Sequence, residues 1–186
     1  MTKINAKFGD VMDLLRQLEG TAFGMADGVI CALGMVIGAA AATSDPKPVL
    51  LIGLVGGVAD AFGNSIGFYI SQSAERGVQK HDLEKGERVH VHTRLENILN
   101  GAASFIATIL IFGVLVAPFA LIPIDMAVWT SCILGVVMLA LMGAYVANLS
   151  KENPAMMAFE YSFLGLFGAI VSYLVGLWLG GMLGLR

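Results

Sequence analysis

Two carboxylates stand inside long apolar stretches of the sequence. Asp27 and Asp60 each lie among glycine, alanine and aliphatic residues, and neither stretch offers a Lys, Arg or His to pair with them. A carboxylate at the middle of a membrane costs roughly 2.5 to 3.5 kcal/mol on insertion scales, so such a residue usually has a functional role. The two acids therefore predict a site for a proton or a cation. The alternative is a pair of buried acids that hydrogen-bond to neighbouring helices for packing.

Further polar and sulfur-containing residues follow the acids at helical spacing. Cys31 and Met35 come four and eight residues after Asp27, and Asn64 comes four residues after Asp60, so each set shares one helix face. Oxygen ligands suit divalent cations, and thiol or thioether sulfur adds affinity for first-row transition metals. The two faces together predict a mixed site for Fe²⁺ or Mn²⁺. Taken singly, Cys31 and Met35 are explained better by ordinary packing.

A weaker group of candidate ligands lies outside the apolar stretches. His90 and His92, with Glu87 nearby, could bind a metal ion, although a solvated charged loop is the preferred interpretation. Glu160 precedes the last apolar stretch, where an acid also suits the N-terminus of a helix. The chain contains no nucleotide-binding loop, no Ser/His/Asp order and no HExxH motif, so we do not expect an enzyme or a bound cofactor.

The composition indicates which elements must position these residues. The chain has 186 residues, of which 57% are apolar and 13% are charged; an average soluble domain has about 25% charged residues. A net charge of −3 provides no basic surface for nucleic acid, and two cysteines exclude a disulfide scaffold. The sequence therefore predicts an all-α polytopic membrane protein in the lipid bilayer.

Five stretches reach the length of about 20 apolar residues that a membrane span needs. They are Thr21–Ala42, Val49–Ile70, Ile98–Ile122, Met126–Leu149 and Tyr161–Leu185. Helix breakers mark the boundaries: residues 44–48 separate the first two stretches, Pro118 and Pro123 flank the turn from the third to the fourth, and Asn153-Pro154 opens the fifth. The charged segment 71–97 is predicted to continue the second and third helices, which are joined around Gly86. It is too short for a separate domain with its own core.

Residues 1–20 are predicted to form an amphipathic helix in the membrane interface, ahead of the five-helix domain 21–186. Apolar residues recur there at helical spacing, and charged residues fill the remaining positions. A signal peptide is the competing interpretation. It is rejected because the apolar run starts late, follows an acidic amphipathic segment and contains Asp27.

The distribution of basic residues predicts the orientation. With the N-terminus inside, nine of the eleven Lys and Arg residues are cytoplasmic, and only Lys47 and Arg186 lie outside. The N-terminus is therefore predicted in the cytoplasm and the C-terminus on the opposite side.

Glycines at four-residue spacing concentrate on the two spans that carry the acids. Gly20, Gly24 and Gly28 form one such ladder around Asp27. Small residues at this spacing let helices approach closely. The ladder predicts a close helix contact, and we expect that contact to be the interface of a homodimer.

Around the two acids the sequence resembles the vacuolar iron transporter family. The first span carries GMADGVI at 24–30, which is similar to the family's G-x-N-D-G-I/V. The second carries GLVGGVADA at 53–61, followed by SIGFYIS at 65–71. The resemblance extends through the last two spans.

The resemblance implies a five-helix protomer in a homodimer, with a metal path lined by the first and second helices. It further implies that Fe²⁺ or Mn²⁺ leaves the cytoplasm in exchange for protons. The chain departs from the family pattern at Asn64, where a methionine is usual, and at Phe68, where a glutamate is usual. It also has only a short connection in place of a Glu- and Met-rich cytoplasmic domain. These departures favour the alternative of a non-transporting membrane subunit or binding module with the same fold.

Overall fold

The computed structural model describes residues 2–87 and 89–185, with side chains from Glu19 onward except that of Leu149. Every regular element in these ranges is a helix: α1 (Thr2–Thr43), α2 (Pro46–Glu84), α3 (Arg94–Leu121), α4 (Ile124–Ser150) and α5 (Pro154–Leu183). Each contains a segment long and apolar enough to cross a membrane. The predicted all-α fold with five spans is confirmed.

The helices begin or end where the sequence places helix breakers, except that α3 continues through Pro118 to Leu121. The carboxylate of Asp45 caps α2 by accepting the backbone N–H of Lys47 at 2.9 Å. Asn153 caps α5 in the same way, accepting the N–H of Ala155 at 2.9 Å. In both cases a proline follows the cap, at a position where its missing N–H costs no helical hydrogen bond. Short links therefore make consecutive helices antiparallel neighbours.

The second helix is much longer than a membrane span. Its 39 residues extend about 58 Å at a rise of about 1.5 Å per residue, against about 30 Å of hydrocarbon. Gly86 then turns the chain with a φ of 89°, and Thr93 and Glu96 start α3 with a reciprocal capping box. The predicted continuation of α2 and α3 toward a turn near Gly86 is confirmed.

The first helix is continuous from Thr2 through the predicted boundary near Gly20. The segment predicted to lie in the interface therefore continues into the first span without a break in the helix. Its side chains up to Leu18 lie outside the described residues, so its position in the interface stays a prediction.

The first helix is the centre of the bundle and packs against each of the other four helices. Its residues supply much of the core, including Val29, Leu33 and Val36. The second helix packs against α1 and α3 and leaves large apolar side chains exposed, among them Leu54, Val58, Phe62 and Ile66. An outer face of this kind suits lipid or a second protomer.

Candidate metal centre

The crossing of α1 and α2 brings the predicted acids together. Asp27 and Cys31 come from α1 and Asp60 comes from α2, and one ligand atom from each lies within 4.8 Å of the other two. The Cys31 thiol donates toward Oδ2 of Asp27 across 3.6 Å. We call these three residues the acid–thiol cluster. They meet because α1 and α2 are antiparallel and joined by a two-residue link, so residues at similar distances from that link lie side by side.

Asn64 lies beside the cluster and is 9% exposed. Its side-chain amide donates to Oδ2 of Asp60 at 3.3 Å and to the hydroxyl of Thr108 at 3.2 Å. The hydroxyl of Thr108 in turn donates to the backbone carbonyl of Gly24 at 3.1 Å. In this arrangement Asn64 orients the carboxylate of Asp60, and Thr108 holds Asn64 in place.

Thr108 is a site residue that the sequence interpretation missed. The signal was available, because Asn100, Ser104 and Thr108 recur at four-residue spacing on α3 and all three are buried. This spacing places them on one helix face. What the sequence did not indicate is that this face lies against α1 and α2 rather than against another part of the protein.

Met35 lies on the same crossing, one helical turn beyond Cys31. A Cβ added at Gly56 would lie 2.5 Å from the sulfur of Met35, so the thioether occupies the space that the glycine leaves open. Gly56 precedes Asp60 by one turn. The face of α1 that carries Asp27, Cys31 and Met35 therefore runs along the face of α2 that carries Gly56, Asp60 and Asn64.

An aromatic contact lies on the other side of the cluster. The rings of Phe23 and Phe68 are 5.3 Å apart and tilted by 44°. Phe23 precedes Asp27 by one turn, and Phe68 follows Asn64 by one turn. The position where the resemblance leads one to expect a glutamate is thus part of an apolar contact between the two helices.

The glycine ladder forms a close helix contact, but within one chain. A Cβ at Gly20 or Gly24 would overlap the backbone of Asn100 or Ser104, and one at Gly28 would lie 3.2 Å from the Cα of Thr108. The predicted close packing is confirmed. The prediction that this ladder is the homodimer interface is wrong, because α3 of the same chain already fills it.

The weaker candidates divide into two groups. His90 and His92 converge with Glu96, with one ligand atom of each within 4.8 Å of the others. Glu87 and Glu160 are exposed, and neither belongs to a cluster of three or more possible ligands among the described residues. Glu160 lies in the second turn of α5. That is beyond the first turn, in which an acid stabilises a helix N-terminus, so the structure does not support the predicted role at the start of the helix.

A cavity of about 600 Å³ lies elsewhere, between α1, α4 and α5. Its lining is mainly apolar and includes Ile37, Val128, Trp129 and Tyr173, with Asp125 as its acidic residue. None of the residues of the acid–thiol cluster lines it. The acid–thiol cluster is therefore separate from this cavity.

The donor set of the acid–thiol cluster suits a divalent transition metal. Two carboxylates and a thiol offer hard and soft ligands together, a combination that fits first-row divalent metals better than Mg²⁺ or Ca²⁺. All three residues are half-buried, so their ligand atoms remain reachable from the protomer surface.

Comparison with known proteins agrees with this geometry. Residues 19–98 and 87–177 match the VIT family, so both cluster-bearing helices and Thr108 fall inside the match. The chain is also 26% identical over 166 residues to an uncharacterized protein of Methanocaldococcus jannaschii, covering 82% of this chain and 86% of that protein. Because the family match extends over most of its length, the chain belongs to the VIT family, whose members are membrane transporters of metal ions rather than enzymes.

Proposed function

We propose that this protein exports Fe²⁺ or Mn²⁺ from the cytoplasm in exchange for protons, with the acid–thiol cluster as the site where the ion binds on its way. One observation carries the proposal. Two carboxylates and a thiol converge within 4.8 Å in the membrane-spanning parts of α1 and α2, where the sequence places no Lys, Arg or His. Uncompensated acids at this depth are costly, and a divalent cation relieves that cost.

Proton exchange follows from the same donor set. A metal ion binds the deprotonated forms of carboxylate and thiol, so it competes with protons for Asp27, Asp60 and Cys31. An ion that arrives on one side displaces protons, and protons that arrive from the other side displace the ion. The cluster therefore couples the movement of the metal ion to the movement of protons without a separate proton site.

The partial exposure of the cluster supports a homodimer. Carboxylates that face the protomer surface at mid-span need a cover other than lipid. On α2, Gly56, Asp60, Gly63 and Gly67 lie along one stripe, and a Cβ at Gly63 or Gly67 would meet no other atom within 4 Å. We propose that this stripe, and not the ladder on α1, faces the second protomer, so that two clusters border one path.

The alternative is a membrane subunit or binding module that keeps the fold without transporting metal. Two contacts favour it. Phe68 closes against Phe23 one turn from the cluster, and Asn64 is engaged in hydrogen bonds to Asp60 and Thr108. Both residues make the site more enclosed and less rich in ligands than the family pattern implies.

Transport into proteoliposomes distinguishes the two proposals. We expect Mn²⁺ uptake with simultaneous proton movement for the natural protein and background uptake for Asp27→Asn and Asp60→Asn. Asn retains the size of the side chain but cannot lose a proton or carry charge. Asp125→Asn is the matched control, since Asp125 lies in the first turn of α4 and outside the cluster. Uptake by both cluster variants at the level of Asp125→Asn would show that the cluster is not the transport site. Background uptake by the natural protein itself would leave only the non-transporting alternative.

The orientation of the protein in the membrane is tested by thiol labelling. We propose that the N-terminus lies in the cytoplasm, on the basis of nine basic residues against two. Glu84→Cys, at the end of α2, should react with an impermeant thiol reagent only from the cytoplasmic side. Asp45→Cys, at the start of the same helix, should react only from the opposite side. The reverse pattern would contradict this orientation.

A further inference from the structure

A second cluster lies where the connection from α2 meets α3. Nε2 of His90 and Nδ1 of His92 both lie 3.8 Å from Oε2 of Glu96. The two imidazole rings are nearly perpendicular, at 88°, with centroids 5.6 Å apart. Three side chains thus direct nitrogen and oxygen atoms toward one small volume, which we call the histidine cluster.

The burial of His92 does not fit a solvated loop. Its side chain is only 8% exposed, and its Nδ1 has no hydrogen-bond partner among the described residues. A buried polar atom without a partner costs about 1 to 3 kcal/mol. The preferred sequence interpretation, a solvated charged loop, is therefore wrong for His92. This nitrogen is turned toward Glu96 and His90, where a ligand would satisfy it.

We propose that His90, His92 and Glu96 bind a first-row divalent metal ion that shares the ligand preferences and tetrahedral geometry of Zn²⁺. Two imidazoles and a carboxylate form a set that such ions favour. Tetrahedral coordination with bonds of about 2.0 to 2.1 Å places ligand atoms about 3.3 Å apart. The two nitrogen-to-oxygen separations of 3.8 Å need to close by about half an ångström to reach that geometry, and all three ligand atoms already lie within 4.8 Å of one another. The fourth position is left to water or to another ligand.

A second layer of contacts prepares this site. Nε2 of His92, the nitrogen that would not bind the metal, lies 3.8 Å from Oε1 of Glu75 on α2. Metal-binding histidines commonly direct their other nitrogen toward a carboxylate, which fixes the tautomer and orients the ring. Glu75 is placed to select the tautomer of His92 in which Nδ1 is free to bind.

Gln79 fixes the connection to α2. Its amide donates to Oε1 of Glu75 at 2.9 Å, and its carbonyl accepts the backbone N–H of His92 at 2.9 Å. Oε2 of Glu96 accepts the backbone N–H of Thr93 at 2.7 Å. The ligands from the connection and from α3 are thus held before any metal binds, which lowers the entropic cost of binding.

The histidine cluster is independent of the proposed transport site. It shares no residue with the acid–thiol cluster, and its donors are two imidazoles and a carboxylate, without sulfur. Its test therefore uses the Asp27→Asn/Asp60→Asn double variant of the full chain in detergent, which removes the carboxylates of the other cluster. In that background we expect calorimetry to show one Zn²⁺ per chain and Co²⁺ to give the visible absorption of a low-symmetry nitrogen and oxygen site.

Single replacements in the same background locate the binding. His90→Ala should weaken Zn²⁺ binding at least tenfold, and His92→Ala should do the same. His90 is exposed, so its loss leaves the buried contacts of the connection in place and keeps the test valid if His92→Ala perturbs the fold. His81→Ala is the matched control, since His81 is an exposed histidine of α2 outside the cluster.

Thermal unfolding gives a second measurement. Zn²⁺ should raise the melting temperature of the double variant and of its His81→Ala derivative, but not that of its His90→Ala derivative. Absence of Zn²⁺ binding in the double variant, or equal binding with His90→Ala, would overturn the proposal. Neither result would affect the transport proposal, whose test compares Mn²⁺ uptake by the natural protein with uptake by the single Asp27→Asn and Asp60→Asn variants.

Discussion

The acid–thiol cluster and the histidine cluster are built in opposite ways. The first is assembled by two long helices, and its members follow from helical spacing along α1 and α2. The second is assembled by a short connection and a helix cap, and its members are neighbours in sequence. Rigid helices fix the first site through packing over many residues. Hydrogen bonds fix the second: Gln79 donates to Glu75 and accepts from His92, and Thr93 donates to Glu96.

The groups that surround the two clusters also differ. In the crossing, the neighbouring groups are the amide of Asn64, which donates to the carboxylate of Asp60, and the hydroxyl of Thr108, which accepts from Asn64. In the connection, the neighbouring group is a carboxylate, Glu75, which suits an imidazole. A site that must release its ion benefits from neutral neighbours, and a site that retains its ion benefits from a charged one. This difference agrees with the two proposals, which place transport at the crossing and stable metal binding at the connection.

The largest expected effect concerns the packing on which the first cluster depends. Gly24→Leu should destabilise the protomer by about 3 kcal/mol or more, because the added side chain overlaps the backbone of Ser104. The loss appears as a lower melting temperature and as aggregation in detergent. Zn²⁺ binding by the histidine cluster should decrease only in proportion to the fraction of protein that unfolds.

The matched control for this variant is Gly63→Leu, on the open stripe of α2. A side chain there meets no atom of its own chain, so the melting temperature of the protomer should stay close to the natural value. Cross-linking and light scattering should instead report a weakened dimer. If Gly24→Leu is as stable as the natural protein, the first cluster does not depend on helix packing in the way proposed.

The second effect is the pH dependence of metal binding in the crossing. Metal ions and protons compete for the same oxygen and sulfur atoms, so affinity should rise with pH, by about tenfold per unit for each proton released. Calorimetry with Mn²⁺ in the His90→Ala/His92→Ala double variant isolates this site. Adding Asp27→Asn should flatten the dependence and weaken binding. An unchanged slope would show that Asp27 releases no proton when the ion binds.

The features of the fold and of the first cluster that depend on helical spacing could be predicted from the sequence. The five spans, the breakers between them and the shared face of Asp27, Cys31 and Met35 follow from local periodicity, which the fold retains. The resemblance to the vacuolar iron transporter family was confirmed by the family match. These features depend on residues close in sequence, or on two helices joined by a short link.

The features that could not be predicted are those that depend on which helices pack against each other. The ladder of Gly20, Gly24 and Gly28 indicates a close contact but not its partner, because α3 and a second protomer are equally compatible with small residues. Thr108 was missed for the same reason. The burial of His92 was missed because charge and polarity in the connection suggest exposure, whereas Gln79 anchors it to α2.

The third effect tests whether Thr108 tunes the first cluster. Thr108→Val retains the branched shape but removes the hydroxyl that accepts from Asn64 and donates to Gly24. We expect Mn²⁺ affinity to fall about tenfold, in the range typical for groups that support metal ligands. Thr130→Val is the matched control, since the Thr130 hydroxyl donates to the carbonyl of Met126 within α4, away from the cluster. Equal affinities for the two variants would leave Thr108 with a packing role alone.

The smallest effect is a shift in metal preference. Asn64→Met places a thioether beside Asp60, as the family pattern has it, and removes the amide that donates to that carboxylate. The hydroxyl of Thr108 keeps its bond to Gly24, so no buried donor loses its partner and the fold should tolerate the change.

Sulfur favours Fe²⁺ over harder ions, so the ratio of Fe²⁺ to Mn²⁺ affinity should rise by a factor of about three to ten. Competition between the two ions in one anaerobic uptake assay measures this ratio directly, without comparing protein preparations. Gln72→Met is the matched control, since Gln72 is also a buried amide of α2 but bonds Glu19 and Asn100, two turns away from Asn64. The same shift in both variants would mean that a thioether acts through general packing. A shift confined to Asn64→Met would place residue 64 next to the bound ion and make the crossing, rather than the connection, the part of the molecule that selects the metal.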